Sequence, residues 1–360
     1  MHRGVAGTGV RIVFRRGAAG TLLADARLVA MTDLGATARL LFAPGKGLLA
    51  ADESVQTATK RLASYGIATS EEMRRKFRDL FLNAPGVEQY LSGVILFSET
   101  LTQKGNDKVA FPLSLAARGI MPGIKVDEGT EPFSDSPDEL VTGGLIGLSE
   151  RLAGFKKQGA TFTKWRSVVT IEGDRLPTAQ AILENAKRLA SYAKEVQTAG
   201  LVPILEPEVL HEGKYSRARA KEVLEETLST LFSVLEEHHV DTSGVILKTS
   251  MVLGGNKNPK KDLPDEVAQA TMEALMKTVP RSAAGIVFLS GGQTPDEATD
   301  NLGAITARAA SMETPWPLTF SYARALQEEA LALWEGKEER VGIAREAFLA
   351  RLAKIAAALS

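Results

Sequence analysis

Three lysines stand in or at the end of short apolar runs, where an unpaired charge is expensive. Lys125 follows Gly123-Ile124, Lys164 lies in Phe162-Thr-Lys-Trp-Arg166, and Lys248 closes Gly244-Val-Ile-Leu247. Acids occupy the same kind of position: Asp52 and Glu53 after Gly47-Leu-Leu-Ala-Ala51, Asp127 after Lys125, and Glu206 and Glu208 after Val202-Pro-Ile-Leu205. Neighbouring cations and desolvation both lower a lysine pKa. From about 10.4, a fall of roughly 3 units makes a free amine common at neutral pH. Such an amine attacks a ketone and forms a Schiff base. The protonated iminium then withdraws electrons until an adjacent carbon–carbon bond breaks. Lys248 is the best-placed nucleophile, because its run is the most apolar. Glu206, with Glu208 two residues on, suits proton shuttling during imine formation. Asp52 suits taking a hydroxyl proton as the bond breaks. Lys164 and Arg166 flank Trp165, so on a strand both face the same way as cations.

Elements that position these residues recur along the chain. A short apolar run ends in a polar residue, and a turn or cap then opens a helical pattern. The runs are Gly47–Asp52, Gly93–Ser98, Gly123–Asp127, Phe162–Val168, Val202–Glu206, Gly244–Lys248, Gly285–Ser290 and Leu318–Tyr322. Between them, Met73, Phe77, Leu80 and Phe81 mark one helical face. Ala181, Leu183, Ala186, Leu189 and Tyr192 mark a second, and Val223, Leu224, Leu228, Leu231 and Leu235 a third. Eight such units over somewhat more than ~250 residues predict an α/β chain closed into a parallel (β/α)8 TIM barrel. An open doubly wound sheet would want Gly-x-Gly-x-x-Gly after its first strand, and none is present. In a barrel, the carboxyl ends of the strands form the active-site mouth, so all the charged residues above converge there.

Phosphate chemistry is expected after the seventh and eighth strands. Ser290-Gly291-Gly292 exposes backbone N–H groups to an anion, and Arg324 opens the helix after the last strand. Lys60 and Arg61 follow the first strand and suit a second phosphate, against the alternative of a solvated helix face.

Bulk properties narrow the remaining choices. The 360 residues carry a formal net charge of −1, which favours neither nucleic acid nor an anionic membrane as partner. No run approaches the roughly 18–20 apolar residues of a membrane span. With 0 cysteines there are no disulfides, thiolate metal sites or cysteine nucleophile, and a reducing, cytoplasmic setting fits. Only 4 histidines occur, His2, His211, His238 and His239, too few for a typical histidine-built metal centre. Residues 1–30 carry Arg3, Arg11, Arg15, Arg16 and Arg27 against Asp25 and no serine, and read as a disordered extension or a start upstream of Met31. Residues 31–360 read as one catalytic domain with a helical C-terminal tail.

Several of these stretches occur together in a known family. Gly45–Ser54, Gly123–Asp127, Lys164-Trp-Arg166, Val202–Glu208, Leu289–Gln293 and Thr319–Gln327 resemble, in order, the class I fructose-1,6-bisphosphate aldolases. The resemblance runs from about Gly45 to Trp334. It implies a metal-free, cofactor-free cleavage of a phosphorylated sugar by a homotetramer. Lys248 would be the Schiff-base lysine, Asp52 the group handling the cleavage proton, and Glu206 the acid–base group with Glu208 beside it. Lys164, Arg166 and Lys125 would bind substrate and tune charge. Ser290, Gly291, Ser321 and Arg324 would grip one phosphate, and Ser54, Lys60 and Arg61 the other. Three departures stand out: Val55-Gln-Thr57 replaces the family's Thr-Gly-Ser, and Thr249-Ser250 replaces Pro-Asn. The chain also ends Ala-Ala-Ala-Leu-Ser360 where many members carry a terminal tyrosine that enters the site. A monophosphate-preferring aldolase or a transaldolase, a barrel retained only for binding, and a metal-dependent aldolase are the alternatives.

Overall fold

A computed structural model describes residues 33–359. The expected extension over residues 1–30 lies outside them. Among the described residues the strands are β1 (Gly47–Ala51), β2 (Leu91–Leu96), β3 (Met121–Lys125), β4 (Thr130–Phe133) and β5 (Ser136–Thr142), then β6 (Phe162–Val169), β7 (Val202–Val209), β8 (Ile246–Thr249), β9 (Gly285–Phe288) and β10 (Leu318–Tyr322). Eight of them close into a parallel barrel in the order β1-β10-β9-β8-β7-β6-β3-β2. Each is one of the eight runs singled out in the sequence. These strands are buried on both faces, which is why their sequences read as nearly continuous apolar runs.

Helices wrap the outside: α1 (Leu34–Arg39), α2 (Val55–Ser64), α3 (Glu71–Leu82), α4 (Ser98–Thr102), α5 (Phe111–Ala117), α6 (Leu148–Lys157) and α7 (Ala179–Thr198). They continue with α8 (Arg217–Glu237), α9 (Pro264–Thr278), α10 (Pro295–Ser311), α11 (Arg324–Trp334) and α12 (Val341–Ala357). The expected faces of α3 and α8 pack inward, with Met73 half-buried at the edge of the α3 face. On α7 the apolar stripe is shifted by one position: Ile182 is buried, while Leu183 is exposed. The C-terminal α12 packs on α11 and α3, and Phe348 meets Phe81 edge-on at 4.8 Å.

The β4–β5 hairpin was not legible in the sequence. Its residues are largely exposed and include Pro132 and Pro137, which demote a run from strand to loop in a periodicity reading. It docks through Thr142, whose hydroxyl donates to the carbonyl of Arg166 at 2.9 Å.

Alternation along the strands separates two cores. Trp165 points outward from β6 onto Tyr192 of α7, with ring centroids 5.3 Å apart. Leu48, Ala50, Phe162, Ile204, Ile246 and Val287 form a separate apolar cluster inside the barrel. Glycines make room for its bulky members. A β-carbon on Gly123 would lie 2.2 Å from the Phe162 ring, and one on Gly285 would lie 2.3 Å from the Phe42 ring. Leu34, Ala38, Leu41 and Phe42 join this cluster and plug the end of the barrel opposite the mouth. The interior is therefore apolar at its floor and becomes charged only toward the carboxyl ends.

Gly123→Ala should test this floor. Overpacking against Phe162 is expected to cost about 1–3 kcal/mol, seen as a lower urea midpoint with an unchanged slope. A midpoint equal to that of the parent protein would contradict the packing.

Candidate active site

One step above the apolar layer, the inward positions change character. On β6, Phe162 is followed inward by Lys164 and Arg166. On β7, Ile204 is followed by Glu206 and Glu208, and on β8, Ile246 is followed by Lys248. Asp52 directly follows β1. These side chains line an open cavity of about 1120 Å³ at the barrel mouth.

Inside it, charges alternate. Lys164 Nζ lies 2.7 Å from Asp52 Oδ2 and 2.9 Å from Glu206 Oε2. Glu206 offers its other oxygen, Oε1, to Lys248 Nζ at 3.0 Å. Lys164, Lys248 and Glu206 are all buried, and Asp52 nearly so. Burial alone would raise the pKa of Asp52, but Lys164 and then Lys248 outweigh it and hold the carboxyl at about 2, below the ordinary 3.8. Stability carried by this ionisation is complete above the ordinary value and is lost as pH falls through about 2. Glu206 is held down in the same way: Lys164, Lys248 and Arg166 overcome its desolvation. For Lys164, burial favours the neutral amine, yet Asp52 and Glu206 prevail and keep it charged well above the ordinary lysine range.

This arrangement corrects one expectation. The lysines do not meet as bare cations pressing on one another, because each is matched by a carboxylate. Lys125 is ion-paired with Asp127, which also accepts from the backbone N–H of Arg166 at 3.1 Å. Arg166 is paired with Glu208.

The residues expected to grip phosphate occupy two stretches of the same cavity wall. Ser290, Gly291, Ser321 and Arg324 line one. Gly291 and Gly292 adopt successive left-handed conformations, φ +56° and +85°, that favour glycine. Ser321 is buried, and its hydroxyl has no hydrogen-bond partner among the described residues. Along the other, Ser54 caps α2, accepting from Thr57 N at 3.2 Å, and Arg61 reaches the cavity. Lys60 is not brought there. It is exposed on α2 and absent from the lining, so the solvated-face reading holds for it.

Sequence reasoning missed the support beneath Arg61. Glu53 accepts from Arg61 Nη1 at 2.8 Å and is ion-paired on its other oxygen with Arg78, which is buried in α3. Arg61 Nη1 also donates to Gln327, while Arg61 Nη2 and Gln327 Nε2 are buried with no hydrogen-bond partner among the described residues. The available signal was Arg78 itself, a charge set beside Phe77 in the apolar register of a helix. Also missed were Gln56, Arg151 and Glu128 along the side wall. Thr249 and Ser250, the departure after Lys248, tie the strand end to its neighbours. Leu289 N donates to the Thr249 carbonyl at 3.0 Å, and the Ser250 hydroxyl donates to the Val209 carbonyl at 2.9 Å.

Fold and site together define a (β/α)8-barrel enzyme with an amine-and-carboxylate centre at its mouth. The model of the family described as fructose-bisphosphate aldolase class-I matches residues 33–360. Fructose-bisphosphate aldolase C of Rattus norvegicus is 46% identical over 320 residues, spanning 89% of this chain and 87% of the relative. The fructose-bisphosphate aldolase of Drosophila melanogaster is also 46% identical over 320 residues, 89% of this chain and 88% of its own. Among solved structures, Plasmodium falciparum fructose-bisphosphate aldolase, determined with TRAP and a small-molecule inhibitor, superposes with a TM-score of 0.88. It is 42% identical, and the match covers 91% of this chain and 93% of that one. The chain belongs to the class I fructose-bisphosphate aldolase family, a family of carbon–carbon lyases.

The charge ladder makes a direct prediction. In Lys164→Met, the carboxyls of Asp52 and Glu206 lose their principal counter-charge and should titrate higher by roughly one pKa unit or more. Infrared detection of protonated carboxyl groups across an acid titration reads this shift. Unmoved titrations would show that Lys164 does not set them.

Proposed function

We propose that the chain reversibly cleaves fructose 1,6-bisphosphate into dihydroxyacetone phosphate and glyceraldehyde 3-phosphate through a Schiff base on Lys248. Supporting this most directly is the position of Lys248, a buried amine at the mouth, 3.0 Å from one oxygen of Glu206. Glu206 accepts the ammonium proton of Lys248, and the freed amine adds to the C2 carbonyl. Glu206 then returns a proton to the carbinolamine hydroxyl, which leaves as water.

Once the iminium has formed, the C3–C4 bond breaks and its electron pair passes into an enamine. The proton of the C4 hydroxyl goes to Asp52, which is ionised at neutral pH and so able to accept it. Lys164 remains charged throughout and holds Asp52 and Glu206 apart in role: one serves the carbon–carbon bond and the other the imine. Arg166 and Glu208, with Lys125, set the charge around them. Ser290, Gly291, Ser321 and Arg324 hold one phosphate, and Ser54 and Arg61 the other. In keeping with the family, the assembly is proposed to be a cytoplasmic homotetramer that works on sugar phosphates.

A second reading, preference for a monophosphate, is favoured by one observation. Lys60 stays outside the cavity and Arg61 is already engaged by Glu53 and Gln327. The ratio of kcat/KM for fructose 1,6-bisphosphate over fructose 1-phosphate separates the two readings: well above one supports the first, and near or below one the second.

Borohydride reduction in the presence of substrate, followed by peptide mass analysis, tests the chemistry. The expected result is a stable adduct on the Lys248 peptide alone and none in Lys248→Met. An adduct confined to another lysine, or activity abolished by a chelator, would overturn the mechanism.

A further inference from the structure

His211 plays no part in the chemistry above, yet it lies against the glycine loop. A β-carbon placed on Gly292 would be 3.8 Å from His211 Nδ1 and 3.7 Å from Arg324 Nη2. One glycine therefore separates the imidazole from the guanidinium. The imidazole lines a small cavity together with Leu289 and Gly291, and those two residues also line the mouth. Its ring faces the main-chain carbonyls of Gly254 and Gly291. The loop is thus bounded by a fixed positive charge in front and a titratable one behind.

We propose that His211 is a positioning residue of the phosphate pocket formed by Ser290, Gly291 and Arg324, adding a proton-dependent positive charge behind its glycine loop. This inference rests on the phosphate-pocket reading given above.

The surroundings leave that proton as the adjustable charge. Burial pushes the imidazole below its ordinary 6.5, while the carbonyls of Gly254 and Gly291 and the carboxylate of Glu297 favour the charged form and Lys261 opposes it. On α10, Glu297 is fixed in the capping box by Thr294 N at 3.0 Å, and Asp300 lines the adjoining cavity. On the loop after β8, Asp262 is ion-paired with Arg217, and Lys260 lies 3.5 Å from Glu266. Tyr215 is held protonated by burial, with its hydroxyl donating to the Leu210 carbonyl. Formal charge facing the ring is therefore close to balanced. A dianion in this pocket stabilises the imidazolium. By reciprocity, protonation of His211 tightens the anion by the same factor.

Sulfate, which stays dianionic through the relevant range, is the probe, used as a competitive inhibitor of the full-length enzyme. Between about pH 8 and about pH 5.5, wild type should bind sulfate roughly tenfold more tightly, the equivalent of one pKa unit. His211→Gln should change by less than about twofold across the same range, and His211→Arg should bind tightly at both ends. In wild type, saturating sulfate should raise the His211 imidazole pKa, followed by nitrogen NMR, by about one unit. An equal pH slope in wild type and His211→Gln, or an imidazole pKa that sulfate does not move, would overturn the assignment.

Arg324→Ala separates this from the reading beneath it. Loss of sulfate competition at every pH supports the pocket, so that an unaltered slope in His211→Gln then rejects His211 alone. Undiminished competition in Arg324→Ala rejects the pocket and this inference with it.

Discussion

The buried ammonium of Lys164, held between Asp52 and Glu206, is the interaction on which the mouth of this barrel depends. It lies 2.7 Å from one carboxylate and 2.9 Å from the other. Two carboxylates brought this close inside a protein would not both stay ionised without it. With it, Asp52 and Glu206 remain anions at neutral pH, and Glu206 has an oxygen left for Lys248. Breaking a buried pair of this kind typically costs about 3–5 kcal/mol. The ladder Asp52–Lys164–Glu206–Lys248 draws on β6, β7, β8 and the residue after β1, so it also binds separate parts of the barrel wall.

Barrel geometry makes such a ladder possible at low dielectric without burying it in the floor. Inward positions alternate with outward ones, so every second residue of β6, β7 and β8 faces the axis. The lower inward positions are filled by Phe162, Ile204 and Ile246 and plugged by α1 and Phe42, which exclude water from below. The next inward positions carry the charges. The apolar layer thus supports the charged layer, and glycines such as Gly123 are small so that the aromatic side chains of the floor fit.

Legibility in the sequence followed the same division. The eight strands were readable because both faces are buried, and Lys248, Lys164, Glu206 and Asp52 stood out as charges against apolar runs. The β4–β5 hairpin was not, since its exposed, proline-bearing strands lack that contrast. Nor was the pairing of the lysines: one-dimensional spacing places cations on a mouth but does not say which carboxylate meets which amine. Lys60 and Arg61 are adjacent on a helix, and only the helical rotation decides that Arg61 enters the cavity while Lys60 faces solvent. Arg78 is remote in sequence from the strand ends, and its relation to the mouth, like that of His211 in the loop just after β7, arises only from tertiary packing. The departure at Thr249-Ser250 is accommodated by hydrogen bonds to neighbouring strands.

Nitrogen NMR of the lysine side chains across an alkaline titration tests the central claim most directly, with Lys164 assigned by comparison with a Lys164→Arg variant. If the ladder is as described, the Lys164 ammonium resonance stays at its charged position after ordinary lysines, near 10.5, have titrated. A Lys164 signal that titrates with them, or earlier, would contradict the account.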